Sequence, residues 1–285
     1  MKILFIHPNM PGQFKHLAPA FASDKNNQVV FLTKPRPHIS LPDVTKIEFF
    51  TKRAVEPETH RYLIGFERAV IASQEVWRMC KKLKESGFIP DVIVGHIGFG
   101  DGLFLKDIFQ DTPVLSLFEY YYHSRGSDTD FIREELMSPD DEARVRMRNA
   151  IHLFNLTDSD WGISPTFFQR NQHPEIFHPK ISVIHDGIDV DTAKPARVET
   201  FETKNKTILT PEHEIVTYIS RNFEPYRWFP TFMRAIEMVM KERPNCHVIM
   251  VGGDDVSYGR KAPNGKTWRQ HMMEEVKLNM ERFTF

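Results

Sequence analysis

An α/β chain made of one doubly wound parallel-sheet unit and the start of a second strand–helix–strand unit is what this sequence predicts, and three observations predict it. Short, β-branched-rich apolar runs alternate with longer helical patterns. The runs are nearly continuously apolar, as strands buried on both faces are. The alternation stops near Asp189 and restarts at Glu214, so there are two units rather than one.

Each element has its own signal. Lys2–His7 is a strand that ends against Pro8. Gly12–Ala22 follows as a helix, which Pro19 must kink or delay. Gln28–Lys34 and Thr45–Phe50 read as strands. Tyr62–Lys84 is the clearest helix, with Leu63, Phe66, Val70, Trp77, Cys80 and Leu83 at steps of three, four and seven and Gly87 as its stop. Strand Asp91–His96, helix Gly102–Phe109 and strand Pro113–Glu119 come next, then a polar loop. A helix over Asp140–Leu156, strand Trp161–Ser164, a short helix capped by Thr166 and strand Ile181–Asp186 close the first unit. Residues 190–213 are charged, hold Pro195 and Pro211, and read as a linker. Strand Glu214–Ser220, helix Pro230–Lys241 and strand His247–Val251 then begin a second unit over 214–285.

Composition narrows the function classes. With 285 residues, 41% hydrophobic and 26% charged, the chain is ordinary and globular. Its 37 basic and 38 acidic residues give a net charge of -1, which asks for no nucleic-acid partner. Cys80 and Cys246 form no paired or metal-ligating pattern, so a reducing compartment is expected. The opening run is broken by His7 and Pro8, and no apolar stretch approaches the ~20 residues of a membrane span. A cytoplasmic protein is the expectation.

In open parallel sheets, ligands bind beyond the carboxyl ends of the strands. Those ends carry His7 with the Pro8–Gly12 loop, His96 with Gly98 and Gly100, Glu119 with Tyr120 and Tyr121, and His185, Asp186 and Gly187. Their convergence points to a site where any one histidine would not. Gly12, between the first strand and helix, either lets backbone approach an anionic ligand or only makes a tight turn, and the two readings stand level. Gly95–Gly102 (GHIGFGDG) imitates a dinucleotide fingerprint, with Glu119 about 20 residues on, but Leu103 stands where Gly or Ala is needed. A plain glycine-rich connection explains it better. Arg221 and Arg227, in SRNFEPYRW past the second unit's first strand, suit a diphosphate, since guanidiniums are permanently charged and donate in a fork. Ordinary solvated arginines pairing with Glu224 are the bland alternative. Gly252 and Gly253 follow the next strand. His173 and His178 do not have the spacing of metal ligands, and no metal site is expected. Arg144, Arg146 and Arg148 line a helix face that reads as solvated, with peripheral membrane association as the alternative.

Four stretches together resemble the family 4 glycosyltransferases of the GT-B fold: HPNMPGQFKHLAP, PDVIVGH, DSDWGISPTFFQ with VIHDGID, and RNFEPYRWFPTFMRAIEMVMKERPNCHVIMVGG. The resemblance implies a doubly wound acceptor-side domain over 1–189 and a donor-side Rossmann-like domain beginning at 214. It implies transfer of a sugar from a nucleotide-diphosphate sugar to a glycan, lipid-linked or small-molecule hydroxyl, with retention and without metal or cofactor. Arg221 falls where the family places an arginine on the donor diphosphate, Arg227 where it places a lysine, and Gly12 on its glycine loop. Gly187 and Gly252 fall in its two remaining glycine motifs. Glu119 stands where many members have a histidine, and with His96 it is the candidate for orienting acceptor or sugar. Trp228 replaces the usual glycine. Phe285 precedes the family's glutamate motif, so a C-terminally truncated member, inactive or weakened alone, is expected. A GT-B nucleotide-sugar epimerase, a non-catalytic glycan-binding module and a nicotinamide enzyme are the rival readings.

Overall fold

A computed structural model describes all residues except 128, 133–136 and 197–198. It divides into two compact units, Met1–Ile188 and Asp189–Phe285.

The first unit is built on a seven-stranded sheet. Its strands are β1 (Lys2–Ile6), β2 (Gln28–Thr33), β3 (Thr45–Glu48), β4 (Val92–Gly95), β5 (Val114–Leu117), β6 (Trp161–Ser164) and β7 (Ile181–Val183). They run in the order β3-β2-β1-β4-β5-β6-β7, and every pairing is parallel. Period-two alternation along β1 and β2 fills two cores. Leu4, Ile6, Val30 and Leu32 pack with Val76, Cys80 and Leu83 of helix α2 (Ile64–Glu85) and with Leu105 and Ile108 of helix α3 (Leu105–Ile108). Ile3, Phe5, Val29 and Phe31 pack instead with Phe14 and with Ala18 and Ala22 of a first helix, α1 (Leu17–Ser23).

Order reverses between β1 and β4, the topological switch point at which such sheets open a crevice. His7 and His96 are the residues that leave the sheet there.

Pro19 delays α1 rather than kinking it. A 3-10 turn over Gly12–Phe14 comes first, and the proline then sits in the first helical turn, where no N–H is missed. Helix α4 (Pro139–Asp158) begins with Ser138 accepting from Asp141 N at 3.1 Å, a proline at its first position and three acidic residues against the positive end of the helix dipole. Thr166 caps α5 (Phe167–Gln172), accepting from Gln169 N at 3.2 Å.

Two expectations are corrected. Strand β7 ends at Val183, so His185, Asp186 and Gly187 lie outside the sheet on an exposed segment. Residues 190–213 are not a bare linker: β8 (Phe201–Glu202) and β9 (Ile208–Leu209) form an antiparallel hairpin. Lys206 takes φ 65 in its turn, and Asn205 Nδ2 donates to Met280 O and Phe283 O at 3.0 and 3.2 Å, which ties the hairpin into the second unit.

That unit's main sheet is parallel, in the order β10 (Glu214–Asn222), β11 (Cys246–Gly253), β12 (Phe283–Thr284), with helices α6 (Phe229–Glu242) and α7 (Trp268–Glu275) between strands. Strands that advance in one direction through crossovers of one hand put both helices on the same face. Met233, Ile236 and Met240 of α6 and Met272 of α7 therefore share one core with Val248, Met250 and Phe283. On the opposite face Ile215, Ile219 and Val251 are exposed. No helix among the described residues is long and apolar enough to cross a membrane.

Candidate functional site

At the switch point of the first unit the candidate residues meet. His7 is buried, and its Nδ1 accepts from Asn9 N at 2.9 Å. The proton must then sit on Nε2, which donates to Gln13 Oε1 at 2.9 Å. Burial, followed by the neighbouring His96, pushes its pKa down to about 4, so the ring is neutral near pH 7. The His7 and His96 rings meet edge to face, 5.1 Å between centroids. His96 Nε2 donates to Glu119 Oε2 at 2.9 Å, while its buried Nδ1 has no hydrogen-bond partner among the described residues. Two of the predicted pair are thus in direct contact, although β4 and β5 each end a residue or more before them.

Gly12 is required by this arrangement. It has φ +50, and a Cβ there would lie 2.4 Å from His7 Nε2. The glycine loop therefore seats directly on the His7 ring.

The glycines of GHIGFGDG are accounted for by packing. A Cβ on Gly95 or Gly102 would meet Ile97 Cγ2 at 2.8 or 2.5 Å, and one on Gly100 would meet Ala69 Cβ of α2 at 2.2 Å. Asn155 Nδ2 of α4 donates to Ile97 O at 2.7 Å. The segment is a tight 3-10 turn wedged between two helices, and nothing in it has the form of a dinucleotide cradle.

Two groups here escaped the sequence reading. Asp101 is buried with neither carboxyl oxygen hydrogen-bonded among the described residues, and burial raises its pKa to about 6 despite Lys34 and His96 nearby. His152 of α4 is buried beside Gly98, its Nδ1 without a hydrogen-bond partner among the described residues and its pKa lowered by burial to about 3. The sequence offered only a glycine-rich loop and an amphipathic helix at these places. His173 and His178 have plain structural bonds, to Gln169 O at 3.0 Å and His173 O at 2.8 Å. Among the described residues no cluster of three or more His, Cys, Asp or Glu could hold a metal.

In the second unit, Arg221 and Arg227 are both exposed, but Arg221 is not past the strand as expected: β10 runs on to Asn222 and includes it, while Arg227 ends the 3-10 turn Pro225–Arg227 that follows. Between them Glu224 is fully buried. Its Oε2 accepts from Ser257 N and Tyr258 N, each at 2.8 Å, and its Oε1 faces Arg227 Nε at 3.8 Å. Asn222 Nδ2 donates to Ser257 Oγ at 2.7 Å, and the Arg227 guanidinium lies 5.6 Å from the centre of the Tyr258 ring. Glu224, expected only as a surface partner for the arginines, thus joins the loop after β10 to the loop after β11. Trp228 takes φ 58, a left-handed conformation in which glycine has no strain. Gly252 has a packing reason: a Cβ would stand 2.8 Å from Phe223 Cε1. Gly187 has φ +78 and nothing within 4 Å of a Cβ.

Two surface grooves lie elsewhere. One, of about 300 Å3, is lined by Gln74, Trp77 and Phe104, and the other runs beside Phe50 and Lys52. Neither touches a candidate residue. The first lies along the flank of α2 and the second between α2 and the end of β3, both away from the switch point between β1 and β4.

The sequence profile of the glycosyl transferase family 4 group matches residues 25–193. No curated protein sequence matches the chain. Among solved structures, sucrose-phosphate synthase from Thermosynechococcus elongatus superposes with a TM-score of 0.61 at 18% identity, over 100% of this chain and 70% of its own. The catalytic domain of starch synthase IV from Arabidopsis thaliana, bound to ADP and acarbose, gives 0.49 at 16% identity over 96% and 70%. UDP-GlcNAc 2-epimerase from Neisseria meningitidis, bound to UDP-GlcNAc, gives 0.45 at 13% over 100% and 71%. Likeness at these identities concerns the fold alone, and the first of the three supports it.

Proposed function

Since the chain belongs to the glycosyl transferase family 4 group and has the GT-B fold, we propose that it moves a sugar from a nucleoside-diphosphate sugar to a hydroxyl acceptor, with retention and without a metal. The second unit takes the donor: Arg221 and Arg227 compensate the diphosphate as it leaves, when negative charge on its oxygens is greatest. The first unit takes the acceptor: Glu119, fixed by the His96 Nε2–H bond, accepts from its hydroxyl, and neutral His7 beneath Gly12 holds the glycine loop in place. The acceptor is a glycan, a lipid-linked sugar or a small molecule, met in the cytoplasm. The solvated α4 face leaves room for peripheral contact with a membrane.

One observation carries this reading. The two cations flank a turn whose shape is set by a buried carboxylate bonded to two backbone N–H groups of the neighbouring strand-end loop. A pair of exposed guanidiniums at a parallel sheet's carboxyl edge suits a diphosphate.

Calorimetry with UDP, GDP and ADP tests it. Binding of at least one is expected, with R221A and R227A each weakening it about ten- to a hundredfold, as losing a charge-assisted hydrogen bond does. Binding that neither substitution alters would sink the donor assignment. Mass spectrometry of the sugar product, with and without acceptor, then separates transfer from epimerisation.

A further inference from the structure

An exposed aromatic side chain at the carboxyl edge of the first unit's sheet is used by neither core packing nor the donor chemistry. Phe99 stands at the end of the 3-10 turn Ile97–Phe99 and is 49% exposed. Its ring lies 4.7 Å from that of His96, tilted by 32°, and 5.8 Å from that of His7. The same His96 is hydrogen-bonded to the Glu119 carboxylate, whose side chain is 44% exposed.

Looseness does not explain that exposure. Gly100 N and Asn155 Nδ2 both donate to Ile97 O, at 2.8 and 2.7 Å. Leu103 N donates to Ser73 Oγ at 3.2 Å, and the Ser73 hydroxyl donates to Gly100 O. Gly100, at φ +91, lies against Ala69, where no side chain could fit. The turn is clamped by α2 and α4, and the clamp points Ile97 inward and Phe99 outward. A turn this tightly held keeps a phenyl ring in water, tilted against the His96 imidazole and edge-on to that of His7.

We infer that Phe99 is the stacking platform for a pyranose ring of the acceptor. A pyranose has C–H groups over one face and hydroxyls around its rim. The C–H hydrogens are slightly positive and match the negative face of a phenyl ring, while the rim hydroxyls donate to a carboxylate at its side. A purely hydrocarbon acceptor would have no use for Glu119, and a phosphate would be repelled by it. The acceptor is therefore a glycan or glycoside, bound through a sugar ring. This rests on reading the edge as the acceptor side.

Saturation-transfer NMR on the whole chain tests it, using methyl pyranosides of glucose, galactose and mannose, with 1,6-hexanediol as a hydrocarbon control. At least one pyranoside is expected to receive saturation at the C–H protons of one ring face. F99A should weaken that binding about three- to tenfold and F99W should keep it within about twofold, the range of an aromatic contact. E119Q should weaken it as well. Pyranoside binding by F99A equal to the parent's overturns the inference, and so does equal saturation of hexanediol. A UDP, GDP and ADP titration of the same sample separates the two readings. Diphosphate binding without pyranoside binding removes the platform and leaves the donor assignment. Pyranoside binding without diphosphate does the reverse.

Discussion

Replacing Gly12 by alanine tests whether the glycine loop and the His7 ring are one mechanical unit. Two costs add at this position. An alanine at φ +50 is in the left-handed region, at about 1–2 kcal/mol. Its Cβ would also stand 2.4 Å from His7 Nε2 and 2.6 Å from Cδ2 and Cε1, far inside contact distance, so the ring must move. Moving it loosens the bonds to Asn9 N and Gln13, at roughly 1 kcal/mol each. Against this, alanine narrows the unfolded ensemble by about 0.4–1 kcal/mol. A net loss of about 2–3 kcal/mol follows. Gly187 is the matched control: φ +78, but open space around a Cβ, so G187A has the backbone strain without the collision and should lose about 1 kcal/mol or less. Urea unfolding of both variants against the parent, followed by a signal from the first unit, gives the comparison. If G12A and G187A lose the same amount, the contact between loop and ring is not there, and the site geometry built on it fails.

Two further outcomes are expected. Because His7 and His152 have pKa values near 4 and 3 in the folded chain and about 6.5 when unfolded, the unfolded state binds more protons below neutrality. Their contribution to stability is fully present above about pH 6.5 and is lost as the pH falls towards 4, by ~3 kcal/mol for His7 alone; H7Q should flatten a plot of urea midpoint against pH, and an unchanged slope would contradict the burial argument. In the second unit, E224A leaves Ser257 N and Tyr258 N without their acceptor and should cost about 2–4 kcal/mol, whereas E224Q retains an amide oxygen and should cost less than half of that. Hydrogen exchange at those two amides, unprotected in E224A and protected in E224Q, checks it.

The parts of this protein that are local in sequence were legible. Alternating apolar runs marked β1, β2, β4, β5, β6, β10 and β11, and the periodicity of α2 and the Thr166 cap marked helices to within a turn. The two-residue strands β8 and β9 were not, because so short a pairing has no periodicity, and a turn at Lys206 with positive φ has no glycine to announce it. Nor did composition show that both helices of the second unit pack on one face, which follows from the order β10-β11-β12.

The same division runs through the site. Strand alternation and the glycine loops were enough to put His7, His96 and Glu119 at carboxyl ends of strands, because those ends are wherever the apolar runs stop. That His96 bonds Glu119, that Gly12 sits on His7, and that Glu224 is a buried clamp rather than a surface counter-ion were decided by the tertiary structure alone. Periodicity tells which residues leave a sheet, but their contacts depend on which strands lie side by side, and that is set by chain crossovers tens of residues long.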